Sequence, residues 1–349
     1  IMFSNLISLI FKLDPETAHS LAIKSLKFNF VPNILIEEKN NPLFKTEIFN
    51  KDLENPIGMA AGFDKNAEVY NSLFKLGFGL VEVGTITPFK QYGNPKPRVF
   101  RLVEDEALIN RLGFNNLGAK NIINRIIRNT PEGLLGVNIG PNKDTQNRMS
   151  DYIECFKTFH QVADYIAINI SSPNTEDLRN FHDQIKLNEL LQALNKEKKN
   201  LDSKTPIAVK VSPDINDFEI ENICDVLLNN DIDAIIISNT SDSTRDKLKN
   251  VQSFQKGGLS GKPIESKSTK LINKFYKSLH GKIKIIGVGG VDSGKSAYEK
   301  FLAGANCVQL YTGMVYRGPN IVNLIKKELK ELLLKDGVKN FNEIVGKIE

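Results

Sequence analysis

The chain has 349 residues, 41% of them apolar and 25% charged, which is enough for one large domain or two ordinary ones and outside the disordered and fibrous classes. The net charge of +5 is small and scattered, with no basic block interleaved with aromatics, which argues against a nucleic-acid partner. Cys155, Cys224 and Cys307 stand too far apart for a disulfide framework or metal cluster, and His19, His160, His182 and His280 show no ligand spacing, so a reducing compartment and no bound metal are expected.

Residues 1–11 are apolar but too short for a span of about 20 residues. Asn5 and Ser8 interrupt them and Lys12 and Asp14 close them, which predicts neither a transmembrane helix nor a signal peptide. Asp14-Pro15-Glu16 reads as a helix start, with Asp14 as cap and Pro15 in the first position. Leu21, Ala22, Leu26 and Phe30 then fall at roughly helical spacing. Two short amphipathic helices are therefore expected in residues 1–40, ahead of a main domain over 41–349, either packed as a lid or lying in a membrane interface.

From about residue 45 strands and helices alternate. Pro56–Ala60, Leu80–Gly84, Leu134–Ile139, Tyr165–Ile170, Pro206–Val211, Ala234–Ser238, Lys284–Gly289 and Cys307–Tyr311 are mostly continuous apolar runs, as buried parallel strands should be. Between them lie amphipathic helical stretches. One starts with Asn216 as cap and Glu219 in the third position, another runs from Asp292-Ser293 to just before Gly304, and Lys326 to Lys335 closes the series. The pattern predicts an α/β fold, a (β/α)8 TIM barrel with a small N-terminal helical extension. An open doubly wound sheet is the alternative, and the polar residues that end nearly every strand favour the barrel. The segments Gly93–Leu102 and Asn110–Asn116 are too long for a plain connection and read as a hairpin inserted over the barrel mouth.

The strand ends carry the chemistry. Ala60-Ala61-Gly62-Phe63-Asp64-Lys65 offers small residues for a flat ligand, and a lysine that either meets an anion or is simply solvated. The next ends are Gly84-Thr85, Asn138-Ile139-Gly140 and Asn169-Ile170-Ser171-Ser172-Pro173-Asn174-Thr175, where Pro173 stops the strand. Lys210 sits inside an apolar strand, costly unless it meets a charged or polar partner, and reads as a desolvated cation beside an electron-rich cofactor. Ser238-Asn239-Thr240 ends the sixth strand, with Gly257-Gly258-Leu259-Ser260-Gly261 in the following loop. Gly287-Val288-Gly289-Gly290 and Tyr311-Thr312-Gly313 end the last two, where barrels hold a phosphate on backbone N–H groups. No Rossmann fingerprint is present. The set fits a phosphate-bearing flavin with a small anionic heterocycle.

In this order, AAGFDK, VGTITP, NRLGFNN, NIG, INISSPNT, VKVSPD, SNT, GGLSGKP, GVGG and YTG resemble dihydroorotate dehydrogenase over essentially the whole chain, and LDPETAH resembles its quinone-dependent, membrane-associated branch, class 2. The resemblance implies oxidation of (S)-dihydroorotate to orotate in pyrimidine biosynthesis, with Ser172 as the base at C5 and hydride passing from C6 to N5 of FMN. The soluble branch has a cysteine at that position, and none of the three cysteines stands there. For the substrate it implies Lys65, Asn110, Arg111, Leu112, Gly113, Phe114, Asn169, Asn174, Asn239 and Thr240. For one FMN per chain it implies Ala61, Gly62, Phe63, Asp64, Lys65, Thr85, Asn138, Asn169, Lys210, Ser238, Gly261, Gly290, Tyr311 and Thr312. Lys210 would favour negative charge on the reduced flavin, and Thr175 to His182 would form a lid. A membrane quinone would be the final electron acceptor, with Arg101 bordering its site. Residues 1–40 would form an apolar tunnel that docks peripherally on the cytoplasmic side of the cell membrane. Two other readings are a soluble flavin barrel acting on a different nucleobase, for example in RNA, and a non-catalytic ligand-binding barrel. The former would want a cysteine acid and a basic extension, neither of which is evident.

Overall fold

The computed structural model describes residues 10–28, 41–175, 177–243 and 245–348. Helix α1 (Pro15–Lys27) starts as its sequence dictates, with Asp14 Oδ1 accepting from Thr17 N at 2.9 Å. Its buried face is Ala18, Ile23 and Leu26, whereas Leu21 is 49% exposed. The helix is oriented by a fork rather than by that face: Arg98 Nη2 and Nε donate to the two carboxylate oxygens of Glu16 at 2.6 and 3.1 Å. Phe30 and the expected first helix over residues 1–9 lie outside the described residues.

A short hairpin, β1 (Thr46–Ile48) and β2 (Lys51–Leu53), precedes the barrel. Eight strands then close a parallel barrel: β3 (Ile57–Met59), β4 (Leu80–Ile86), β7 (Leu134–Ile139), β8 (Tyr165–Asn169), β9 (Ile207–Val211), β10 (Ala234–Ile237), β12 (Lys284–Val288) and β13 (Cys307–Leu310), which returns to β3. Each expected strand forms, within one or two residues at each end. Helices α2 (Tyr70–Lys75), α3 (Ala119–Arg128), α4 (Arg148–Phe159), α5 (Gln184–Asn200), α6 (Asp217–Asn229), α7 (Glu265–Leu279) and α8 (Gly294–Ala303) alternate with the strands. Both expected caps form: Asn216 with Glu219 as a capping box, and Ser293 opening α8. After β13 come α9 (Thr312–Arg317) and α10 (Ile321–Lys335), the latter beginning five residues before the expected Lys326.

The inserted hairpin is β5 (Val99–Leu102) with β6 (Ala107–Asn110). Gly258–Gly261, expected as loop, is a third strand, β11, antiparallel to β6. One buried apolar residue, Leu259, holds it against Phe100, Leu102 and Ile109, too small a signal to read as a strand.

Ile48 and Leu53 pack with Leu80, Leu134 and Tyr165 to plug the end of the barrel where its strands begin. The opposite end is therefore the one left for chemistry. Tyr165 fits because its partner across the sheet is Gly136: a Cβ there would lie 2.2 Å from the ring. Gly136→Ala is expected to cost about 1–3 kcal/mol through overpacking. Chemical denaturation measures this, and an unchanged midpoint contradicts the packing described.

Candidate active site

The carboxyl ends of the barrel strands open into one large cavity, walled on the far side by the β5–β6–β11 sheet. Ala61, Gly62 and Lys65 from β3, Thr85 from β4, Asn169, Ser172 and Asn174 from β8, Lys210 from β9, and Ser238, Asn239 and Thr240 from β10 all line it. Asn110, Leu112, Gly113 and Phe114 enter from the hairpin, and Gly261, Gly290, Tyr311 and Thr312 complete the ring.

A buried carboxylate organises the floor. Glu82, fully buried on β4, accepts from Asn138 Nδ2 (2.8 Å), the Tyr165 hydroxyl (2.8 Å) and Gln309 Nε2 (3.0 Å), and pairs with Lys210 Nζ at 3.5 Å. An ionised carboxylate only accepts, so it fixes the direction of each bond above it. Asn138 must present its amide N–H to Glu82, and its Oδ1 takes the Thr85 hydroxyl at 2.7 Å. The Thr85 oxygen in turn accepts from Asn169 Nδ2 at 2.9 Å, leaving Asn169 Oδ1 to receive the Ser171 hydroxyl at 2.9 Å. Asn239 Nδ2 then donates to Ser171 Oγ at 2.9 Å.

This chain separates two adjacent serines. Ser171 is fully buried and committed to amides on both sides. Ser172 lines the cavity, and its Oγ accepts from Asn174 N at 3.2 Å. Asn174 Nδ2 donates to the Asn110 carbonyl at 3.1 Å, which ties this loop to the hairpin.

Arg179, in the 3-10 turn Leu178–His182, clasps the loops behind Ser172. It donates to Ser171 O (3.3 Å) and Thr240 O (3.4 Å) and pairs with Asp242 (2.9 Å) and Asp214 (3.4 Å). The expected lid is thus fastened to three strand ends at once.

Lys65 Nζ donates to Gly62 O at 2.7 Å. Burial pushes its pKa down to about 8, so its charge is poorly compensated in the cavity and an incoming anion would stabilise it. His19 of α1 stands edge-on to the Phe63 ring at 5.3 Å, with Nδ1 3.5 Å from the Tyr311 hydroxyl. Burial, with the nearby Lys65 charge, lowers the His19 pKa to about 3, so it is neutral. Arg101 turns from the hairpin towards α1, where Nη1 donates to Phe11 O at 3.1 Å and Leu13 O at 3.3 Å. Its Nε is buried and has no hydrogen-bond partner among the described residues.

At the other end of the cavity, Gly289 and Gly290 both have positive φ (119° and 74°), and a Cβ on Gly290 would lie 2.4 Å from that of Glu265. Helix α9 begins at Thr312 beside this turn, so its first N–H groups lack acceptors within the helix. The carboxylates nearby are neutralised: Lys262 reaches Glu265 at 2.6 Å and Asp292 at 3.4 Å. The end is suited to a phosphate. With the small Ala60–Gly62 edge, the amide chain and Lys210, the residues present fit FMN.

Four expected contacts stand off the cavity wall. Arg111 turns outward to Gln255, Lys256 O and Pro97 O, over the Phe100 ring. Asp64 is buried and accepts from Glu68 N and Val69 N, a turn-forming role. Phe63 packs between His19 and Tyr311, and Asn138 lies behind Thr85. Sequence reasoning missed Glu82, Arg179 and His19. Glu82 carried a readable signal, a charge inside the apolar strand Val81-Glu82-Val83, the same argument that selects Lys210. Arg179 carried none, because its partners are scattered from Ser171 to Asp242.

The comparisons agree with this geometry. A profile of the family described as Dihydroorotate dehydrogenase matches residues 43–333. A protein of Bartonella henselae named "Dihydroorotate dehydrogenase (quinone)" is 46% identical over 337 residues, covering 95% of this chain and 92% of its own. One of Vibrio atlanticus with the same name is 45% identical over 328 residues, covering 91% and 97%. The crystal structure of DHODH from Eimeria tenella in complex with ferulenol superposes with a TM-score of 0.91 at 37% identity, covering 96% of this chain and 95% of that one. Barrel, cavity, motifs and near-full-length similarity together place this chain in the dihydroorotate dehydrogenase family.

Proposed function

We propose that the chain oxidises (S)-dihydroorotate to orotate in pyrimidine biosynthesis, with FMN as resident cofactor and a membrane quinone as final electron acceptor. The observation that carries this reading is the position of Ser172, the cavity-facing serine, between a lysine suited to a carboxylate and a set of amides suited to a ring of carbonyl and N–H groups. Lys65 pairs with the substrate carboxylate. Asn110, Asn174, Asn239 and Thr240 orient the ring, with the hairpin backbone from Arg111 to Phe114 closing over it. Ser172 Oγ takes the C5 proton. As that proton arrives, the serine's own hydroxyl proton passes to a solvent water entering through the cavity; the bond from Asn174 N occupies only a lone pair and does not hold it back. FMN, when bound, supplies the hydride acceptor for C6. Ala61, Thr85, Asn169, Lys210 and Ser238 would hold its ring system, and Gly261, Gly290, Tyr311 and Thr312 its phosphate end.

Residues 41–349 form the catalytic body in this reading, and residues 1–40 the entrance for the quinone. Support comes from α1, which brings His19 to Tyr311, and from Phe11 just before it, whose ring lies under the Arg101 guanidinium. Arg101 Nε, without a hydrogen-bond partner among the described residues, suits a quinone carbonyl. Among the described residues no helix is long and apolar enough to cross a membrane. Peripheral attachment on the cytoplasmic face is supported by Leu13 (39%), Leu21 (49%) and Phe28 (76%), exposed beside Lys24 and Lys27.

The direct test is dihydroorotate-dependent reduction of a soluble quinone by the purified chain. No turnover in a flavin-loaded preparation rejects the proposal. Ser172→Ala should keep its yellow colour while the rate of flavin reduction by dihydroorotate falls about 10²–10⁴-fold, the usual worth of a positioned base. A near-normal rate removes Ser172 from that role. Because Lys65 is charged below its pKa of about 8 and neutral above it, KM for dihydroorotate should rise as pH passes that value. Lys65→Met should have a high KM with no such inflection; if it shares the wild-type profile, another group binds the carboxylate. Arg101→Leu should raise KM for quinone and spare flavin reduction by dihydroorotate, a split that stopped-flow and steady-state kinetics resolve.

A further inference from the structure

We infer that Glu82 is a positioning residue that sets how strongly Lys210 draws negative charge onto the flavin, and so holds the cofactor's reduction potential down. The inference rests on the reading of the cavity as an FMN site. Glu82 is fully buried and has no route to solvent of its own. Its carboxylate lies 3.5 Å from Lys210 Nζ, the only ion pair Lys210 makes among the described residues. Lys210 lines the cavity and Glu82 does not, so the two charges form a layer with the cation towards the ligand and the anion behind it.

Opposite charges so close in a water-poor interior interact strongly, and a third charge nearby feels the pair as a dipole rather than a bare cation. A lone Lys210 ammonium would favour the electron-rich form of a ring beside it. With Glu82 behind it, much of that pull is cancelled. The carboxylate's other partners, Asn138, Tyr165 and Gln309, are neutral donors that hold it in place without adding a second cation. The arrangement therefore does more than satisfy a buried lysine. An acceptor such as a neutral amide would have satisfied Lys210 without subtracting charge.

The test measures the FMN midpoint potential by dye equilibration in four holoproteins besides wild type. Glu82→Gln should shift it upward, Lys210→Met downward, and the double variant should return close to wild type because the pair's net charge is restored to zero. Tyr165→Phe removes a bond to Glu82 but no charge and should leave the potential in place. Sulfite binding, which adds an anion to the flavin ring, gives a second readout: the dissociation constant should fall several-fold in Glu82→Gln. A Glu82→Gln potential equal to wild type, or a double variant matching Lys210→Met, overturns the inference. Removing one member of a buried pair can prevent folding, whereas removing both is often tolerated. Should one of the two single variants not fold, the double variant measured against the other still decides. A wild-type chain that binds no FMN overturns the cofactor reading itself, and an FMN-loaded series with unordered potentials overturns only the role of Glu82.

Discussion

A carboxylate inside a barrel of apolar strands is costly to desolvate, and the site depends on how Glu82 is compensated. Four side chains from four different strands converge on it: Asn138 from β7, Tyr165 from β8, Lys210 from β9 and Gln309 from β13. Each is a donor, so the unfavourable transfer of the anion is offset only when all these strands are in register. The hydrophobic plug of Ile48, Leu53, Leu80 and Leu134 beneath this layer keeps water out. A single acceptor at the root thereby orients amides as far away as Asn239.

That orientation explains how a pair of neighbouring serines acquires different properties. An isolated Ser-Ser-Pro-Asn turn has no reason to treat its hydroxyls differently. Here the chain just past the end of β8 turns Ser171 into the amide chain and leaves Ser172 at the rim. Arg179 then holds the peptide between them through Ser171 O while engaging carboxylates on two other loops. The rim serine's own oxygen only accepts, from Asn174 N, whereas that of Ser171 also donates.

Much of this was legible in the sequence, and the reasons differ by element. Parallel strands buried on both faces read as unbroken apolar runs, so all eight were visible, and so were caps built from local pairs such as Asn216 with Glu219. Strand ends were visible because polar residues there interrupt those runs. The third strand of the roof was hidden, since Gly258–Gly261 shows only one apolar side chain and its pairing to β6 is long-range. The helical spacing of α1 was legible, but not which face is buried, because periodicity gives a stripe without saying which tertiary bond turns it, and the Glu16–Arg98 fork joins residues 82 positions apart. Arg111 was placed in the site by its neighbours in the motif, although its side chain follows the outer face of the hairpin.

The same fork bears on why the N-terminal helix belongs to the site. Arg98 is 7% exposed and its Nη1 donates to Tyr92 O and Asn94 O, so α1, the hairpin and the loop before it are one unit. Arg101, three residues on, lies against the segment just before α1, at Phe11 and Leu13, yet keeps one buried N–H unmatched among the described residues. Leaving such a donor dry costs about 1–3 kcal/mol. Burial also lowers the guanidinium pKa, the direction expected of a cation held away from water. Arg98 and Arg101 thus fasten α1 and the residues just before it to the hairpin, one through a carboxylate fork and the other through backbone carbonyls.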